Sequence, residues 1–125
     1  MAVEVVARTI NERGKYRVGI RGAPDTPHPR ALQPYANEAT GRLELSTFCV
    51  DGLDEPAKFA LLALHGKVYG KTELAVALIE KFKLGIDPNW NPEKHVDIIG
   101  WPLDFDERHA LSQAMSTQLV ATKAA

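Results

Sequence analysis

The residues best suited to chemistry gather in "HVDIIGWPLDFDERH", His95 to His109. If the segment begins as a strand, the two-residue period puts His95 and Asp97 on one face. An imidazole beside a carboxylate can move protons or, with a third ligand, hold a zinc ion. His109 lies about one helical turn past Asp104 and Asp106 and is the third candidate. Together His95, Asp97 and His109 outline a small metal-dependent hydrolase or nuclease. The spacing matches no established metal signature, and a structural role accounts for the same residues: His95 pairs locally, Trp101 fills the core, Pro102 ends the strand and the acids start a helix. His95, Asp97, Trp101 and His109 are the binding candidates of this segment, with no metal, cofactor or catalytic residue expected.

A second stretch, "LALHGKVYGKTEL", has the outline of a phosphate-binding loop. That loop is G-x-x-x-x-G-K-[ST], but Gly66 and Gly70 here enclose three residues, not four. The position that needs glycine is His65. The flanking pattern predicts a helix–loop–helix connection instead, with Lys67 and Lys71 flanking a helix start whose amides suit an anion. Nucleophilic catalysis has less support. Cys49 sits among apolar strand residues, as an inert thiol would. Ser46, Ser112 and Ser116 lack the sharp G-x-S-x-G turn that exposes a serine.

Charge supplies a third reading. The net charge is only −1, so there is no global pull toward nucleic acid. Its distribution is uneven: residues 1–42 carry seven Lys/Arg against four Asp/Glu, whereas residues 84–125 carry three against six. Arg8, Arg17, Arg21 and Arg42 lie in or beside expected strands, and a shared basic sheet face would hold a phosphate backbone. The alternative is a solvated face whose arginines pair with Glu4, Glu12 or Glu44. "DTPHPR", with His28 between prolines, is either a docking segment or a stiff connector.

The elements that must position these groups follow from periodicity. A chain of 125 residues suits one compact domain, residues 1–125. "VEVVARTI" and "YRVGIRG" predict two strands joined at Gly14, with Tyr16, Val18 and Ile20 on one side and Arg17 and Arg21 on the other. Residues 22–41 hold four of the eight prolines and predict a long irregular loop. "RLELSTFCV" predicts a third strand. Asp54 and Pro56 start a helix that ends at Gly66. A second helix is expected over about residues 71–84, a short fourth strand over Val96 to Ile99, and a last helix from Asp104 with Leu111, Met115 and Leu119 inward. Residues 121–125 are expected to fray. The fold class is α+β: a mainly antiparallel sheet of three, or four, strands, followed by three helices on one face.

The segments "GRLELSTFCVDGLDE" and "HVDIIGWPLDFDERHALSQAMSTQL" resemble small bacterial proteins that share a strand ending in a Gly-Leu turn and a His-x-x-Ile-(Ile/Val)-Gly-Trp-Pro segment before a final helix. The matching positions are Leu45, Ser46, Gly52, Leu53, His95, Ile98, Ile99, Gly100, Trp101 and Pro102, and the resemblance covers about half the chain. It brings no activity and no catalytic residue with it. One cysteine excludes an internal disulfide framework. "MAVEVVARTI" lacks the basic start of an export signal, and "FALLAL" is far short of a membrane span. The expected function is a cytoplasmic, non-enzymatic domain that binds a protein partner or itself and no membrane. Nucleic-acid binding through the four arginines and metal-dependent hydrolysis are the alternatives.

Overall fold

The computed structural model describes residues 2–125. Its elements run β1 (Val5–Ile10), β2 (Tyr16–Arg17), β3 (Thr26–Pro27), β4 (Tyr35–Ala36), β5 (Leu43–Cys49), α1 (Glu55–Ala63), β6 (Gly70–Ala75), α2 (Val76–Lys81), β7 (Gly85–Asp87), β8 (His95–Ile99), α3 (Phe105–Ser116) and β9 (Ala121–Lys123). The fold is α+β with three α-helices, but the main sheet has seven strands rather than three or four. Its order is β7-β8-β5-β1-β6-β9, with β4 added on β5, and every pairing is antiparallel. No helix among the described residues is long and apolar enough to cross a membrane.

Strand alternation makes two cores. Val6, Leu45, Cys49, Leu74, Val96 and Ile98 point to one face, where Ile79 of α2, Met115 of α3 and the Trp101 ring pack on them. Ala7 and Phe48, one position along, point to the other face and meet Leu62 of α1. The helices therefore cover both faces, against the expectation of one. α1 starts as its sequence demands: Asp54 caps it by accepting from the Ala57 amide at 3.0 Å, with Pro56 in the first turn. Asp104 caps α3 through the Glu107 amide in the same way.

Four other expectations are corrected. Residues 71–84 are not one helix. Gly70–Ala75 form β6, paired with β1 along its whole length from Val5↔Ala75 to Ile10↔Gly70, and only Val76–Lys81 are helical. Leu74 and Leu78 suit a helical stripe, but Thr72 and Leu74 equally suit a strand, and the partner strand decides. Gly70 is needed for close packing, since a Cβ there would meet the Thr122 carbonyl oxygen at 2.7 Å and the Tyr16 ring at 3.1 Å. Residues 121–125 do not fray, because β9 closes the far edge of the sheet on β6.

The expected second strand is only Tyr16–Arg17, and it pairs with β3 instead of β1. Gly14 lies in a 3-10 turn. Asp25 captures the Gly19 amide at 2.8 Å, and Arg21 takes a positive φ of 57°. The chain turns there, and Val18 and Ile20 are left exposed while Tyr16 is buried. The proline-rich segment 22–41 is folded into the domain. It contributes β3, a 3-10 turn over Pro29–Leu32 and β4, and it buries Ala31 and Leu32 completely or nearly so. His28 caps that turn by accepting from the Arg30 amide.

Candidate functional site

The site forms where two strands place polar side chains opposite one another. In β5, Leu45, Thr47 and Cys49 point to the larger core, so Glu44, Ser46 and Phe48 point away from it. In β8, Val96 and Ile98 point to that core, so His95 and Asp97 point away from it. The register sets Ser46 opposite Asp97 and Phe48 opposite His95. Directly opposed side chains in an antiparallel pair have Cβ atoms about 5 Å apart, so a Ser, a His and two carboxyls converge on one patch.

Hydrogen bonds fix the proton on His95. Asn89 Oδ1 accepts from the Asn91 amide at 3.1 Å, and Asn89 Nδ2 donates to Asp97 Oδ2 at 2.9 Å. These two bonds set the orientation of the Asn89 amide. Its Oδ1 lies 2.8 Å from His95 Nδ1, which must therefore carry the proton. Nε2 keeps its lone pair and lies 2.7 Å from Ser46 Oγ, which donates to it. Burial pulls the His95 pKa below its usual value, with Glu44 and Asp87 opposing, so the ring is neutral near pH 7. Asp97 Oδ1 stands 3.5 Å from Nε2 and has no hydrogen-bond partner among the described residues.

Behind this trio lies a carboxyl pair. Burial works against the charge on Glu44, but Arg42 and Asn37 outweigh it and hold the carboxyl below its usual range. Arg42 Nη2 donates to Glu44 at 2.7 Å and to Asp87 at 2.9 Å. Asp97 goes the other way: burial and the Glu44 carboxylate push it up to about 6. Glu44 carries the charge and Asp97 holds the proton longer, the usual outcome when two acids share a site.

In front of the trio is an open cleft of about 350 Å³, with Ser46, Phe48 and His95 on its floor and Arg8, His65 and Lys67 among its walls. β1 and β5 pair only at Val6↔Cys49 and Ala7↔Phe48. Beyond that point Arg8 enters the gap, Nε donating to the Ala31 carbonyl at 2.9 Å and Nη1 to the Ser46 carbonyl at 3.0 Å. Nη2 has no hydrogen-bond partner among the described residues. His65, just past the end of α1, stacks on Phe48 with centroids 4.3 Å apart, and Phe48 meets the His95 ring edge-on. A second groove of about 590 Å³, mainly apolar, runs along α1 past Leu61 and Leu64 and shares His65 and Pro92 with the cleft.

Of the expected site residues, His95 and Asp97 come together and His109 does not. His109 sits on α3, over the opposite face of the sheet, 3.0 Å from Gln33 and stacked with Phe105. No group of three His, Cys, Asp or Glu among the described residues is arranged to hold a metal ion. Trp101 is a core residue that donates to the Ile98 carbonyl. Arg8 is turned inward and Arg42 is committed to carboxylates, so only Arg17 and Arg21 of the four arginines remain as solvated cations. Lys67 lines the cleft. Lys71 does not flank a helix start: it is 1% exposed in β6, bound to Glu73 and, at 3.1 Å, to Glu55. Its ammonium lies over the Phe59 ring and ties α1 to the sheet.

No sequence pattern marks Asn89 or His65 as functional, and Ser46 lacks the nucleophile turn that marks an exposed serine. Alternation in "LELSTFC" puts Ser46 on the face opposite Leu45, but nothing in the chain order pairs that strand with β8. No protein-family model, curated protein or solved structure matches the chain.

Proposed function

We propose that this protein is a small binding domain that takes an anionic small molecule in the cleft above Ser46 and His95. One observation carries the reading: the cleft has Arg8, Lys67 and two histidines along it and, among the described residues, no carboxylate in its lining. Arg8 supports it further. Its guanidinium is held in place by two main-chain carbonyls, so little side-chain entropy is lost when it meets a ligand. Ligand sites are concave and carry a few fixed polar groups, as this cleft does.

The expectation of a protein partner drew on the proline-rich segment. That segment is packed into the domain, which moves the weight to the cleft. The nucleic-acid reading drew on Arg8, Arg17, Arg21 and Arg42; Arg8 is bound to two main-chain carbonyls and Arg42 to Glu44 and Asp87, so two of the four are engaged within the domain. The test is an amide-resonance titration of the full chain with inorganic phosphate, butyrate and AMP. Shifts are expected at residues 46, 65–67 and 95 for at least one of them, weakened severalfold in Lys67→Glu. Shifts scattered over the surface, or unchanged by Lys67→Glu, would overturn the reading.

A further inference from the structure

The hydrogen-bond pattern under the cleft has a direction. Asn89 is oriented by two bonds that do not involve His95. It then fixes the proton on His95 Nδ1, which leaves Nε2 as the acceptor of the Ser46 hydroxyl proton. A nucleophile, a base and a group that orients the base, each within hydrogen-bond reach of the next, is the geometry of activated-serine chemistry. It arises here without a strand-to-helix turn, because Ser46 sits mid-strand on the face that α1 packs against, at the point where the cleft opens beside that helix. Ser46 is half-buried and lines the cleft, so its Oγ is within reach of a ligand.

We propose that Ser46 is a nucleophile, His95 its general base and Asn89 the residue that positions His95, in an enzyme that cleaves carboxylic esters with a short to medium acyl chain. Ser46 Oγ bonds to the ester carbonyl carbon as its proton passes to His95 Nε2. The carbon–oxygen bond to the alcohol then breaks, and the alcohol leaves with that proton. Water, deprotonated by the same nitrogen, attacks the acyl–Ser46 ester. The carboxylic acid departs and Ser46 Oγ regains a proton from His95. Arg8 lines the same cleft as Ser46, with Nη1 engaged by the Ser46 main-chain carbonyl, and Nη2 is the donor it offers to the developing oxyanion. Asp97 Oδ1, 3.5 Å from Nε2, faces the imidazolium when it forms. The apolar groove past Leu61 and Leu64 opens off the cleft at His65 and Pro92 and accepts the acyl chain.

The inference rests on the cleft being the ligand site, though not on the ligand's charge. The experiment treats the full chain with a fluorophosphonate, which reacts with activated serines, and maps the adduct by mass spectrometry. It also measures hydrolysis of p-nitrophenyl acetate, butyrate and octanoate. One adduct on Ser46 is expected, with ester turnover about a hundredfold or more above Ser46→Ala and His95→Gln, and butyrate or octanoate preferred over acetate. Asn89→Ala should lower kcat with KM unchanged; a rise in KM alone would remove its positioning role. No adduct on Ser46, with turnover equal to that of a folded Ser46→Ala, would overturn the proposal. If butyrate shifts the cleft resonances yet Ser46 stays unlabelled, the anion site stands and the enzyme falls. If Ser46 is labelled and no anion binds, the reverse holds.

Discussion

Asp97→Asn isolates the strain in the carboxyl pair. The folded Asp97 carboxyl keeps its proton to about pH 6, against the usual 3.8, because it is buried beside Glu44. A raised pKa means that its contribution to stability is complete below about pH 4 and drains away as pH rises through about 6. At 1.36 kcal/mol per pH unit the full loss is about 3 kcal/mol; about 1 kcal/mol has gone by pH 4.5 and the rest by pH 7.5. An amide at this position keeps a donor toward Glu44 and an acceptor for Asn89, and it has no proton to lose. The variant should therefore gain about 2 kcal/mol on the natural protein between pH 4.5 and pH 7.5, a figure that already includes the opposing pull of Arg42 on the Asp97 carboxyl. Urea unfolding of both proteins at the two pH values measures it, since the comparison cancels groups the substitution does not touch. A difference that stays constant across the two pH values would refute the reasoning.

Three further outcomes are expected. Glu73→Ala leaves the Lys71 ammonium buried with only the half-exposed Glu55 and should cost about 3 kcal/mol, whereas Lys71→Met should change urea stability by less than about 1 kcal/mol; equal losses would mean that the ion pair is not what the site depends on. Removing residues 121–125 takes away β9, the Asp25 carbonyl bond to the Ala121 amide and the Tyr69 carbonyl bond to the Ala124 amide, and should cost about 2–4 kcal/mol; an unchanged melting temperature would show that the tail is not part of the sheet. Gly70→Ala drives a Cβ into the Thr122 carbonyl and should cost about 1–3 kcal/mol by calorimetry; a neutral result would mean that β9 gives way freely.

The sequence by itself determined what depends on neighbours along the chain. The strands over Val5–Ile10, Leu43–Cys49 and His95–Ile99, and the caps at Asp54 and Asp104, are written in alternation and in side chains that bond amides three residues on. His95 and Asp97 share a face for the same reason. Tertiary structure decided what depends on partners distant in the chain. "GKTELA" suits helix and strand alike, and six residues of β1 make it a strand. "ATK" is too short to hold a shape alone until β6 pairs with it. The site is of this second kind. Ser46 and His95 lie 49 residues apart, and only the β5–β8 register brings Oγ to Nε2. Asn89 reaches His95 because the turn between β7 and β8 folds back over their shared edge. A hydrogen bond needs its two atoms within about 3 Å, and at that separation along the chain no local pattern specifies such a meeting.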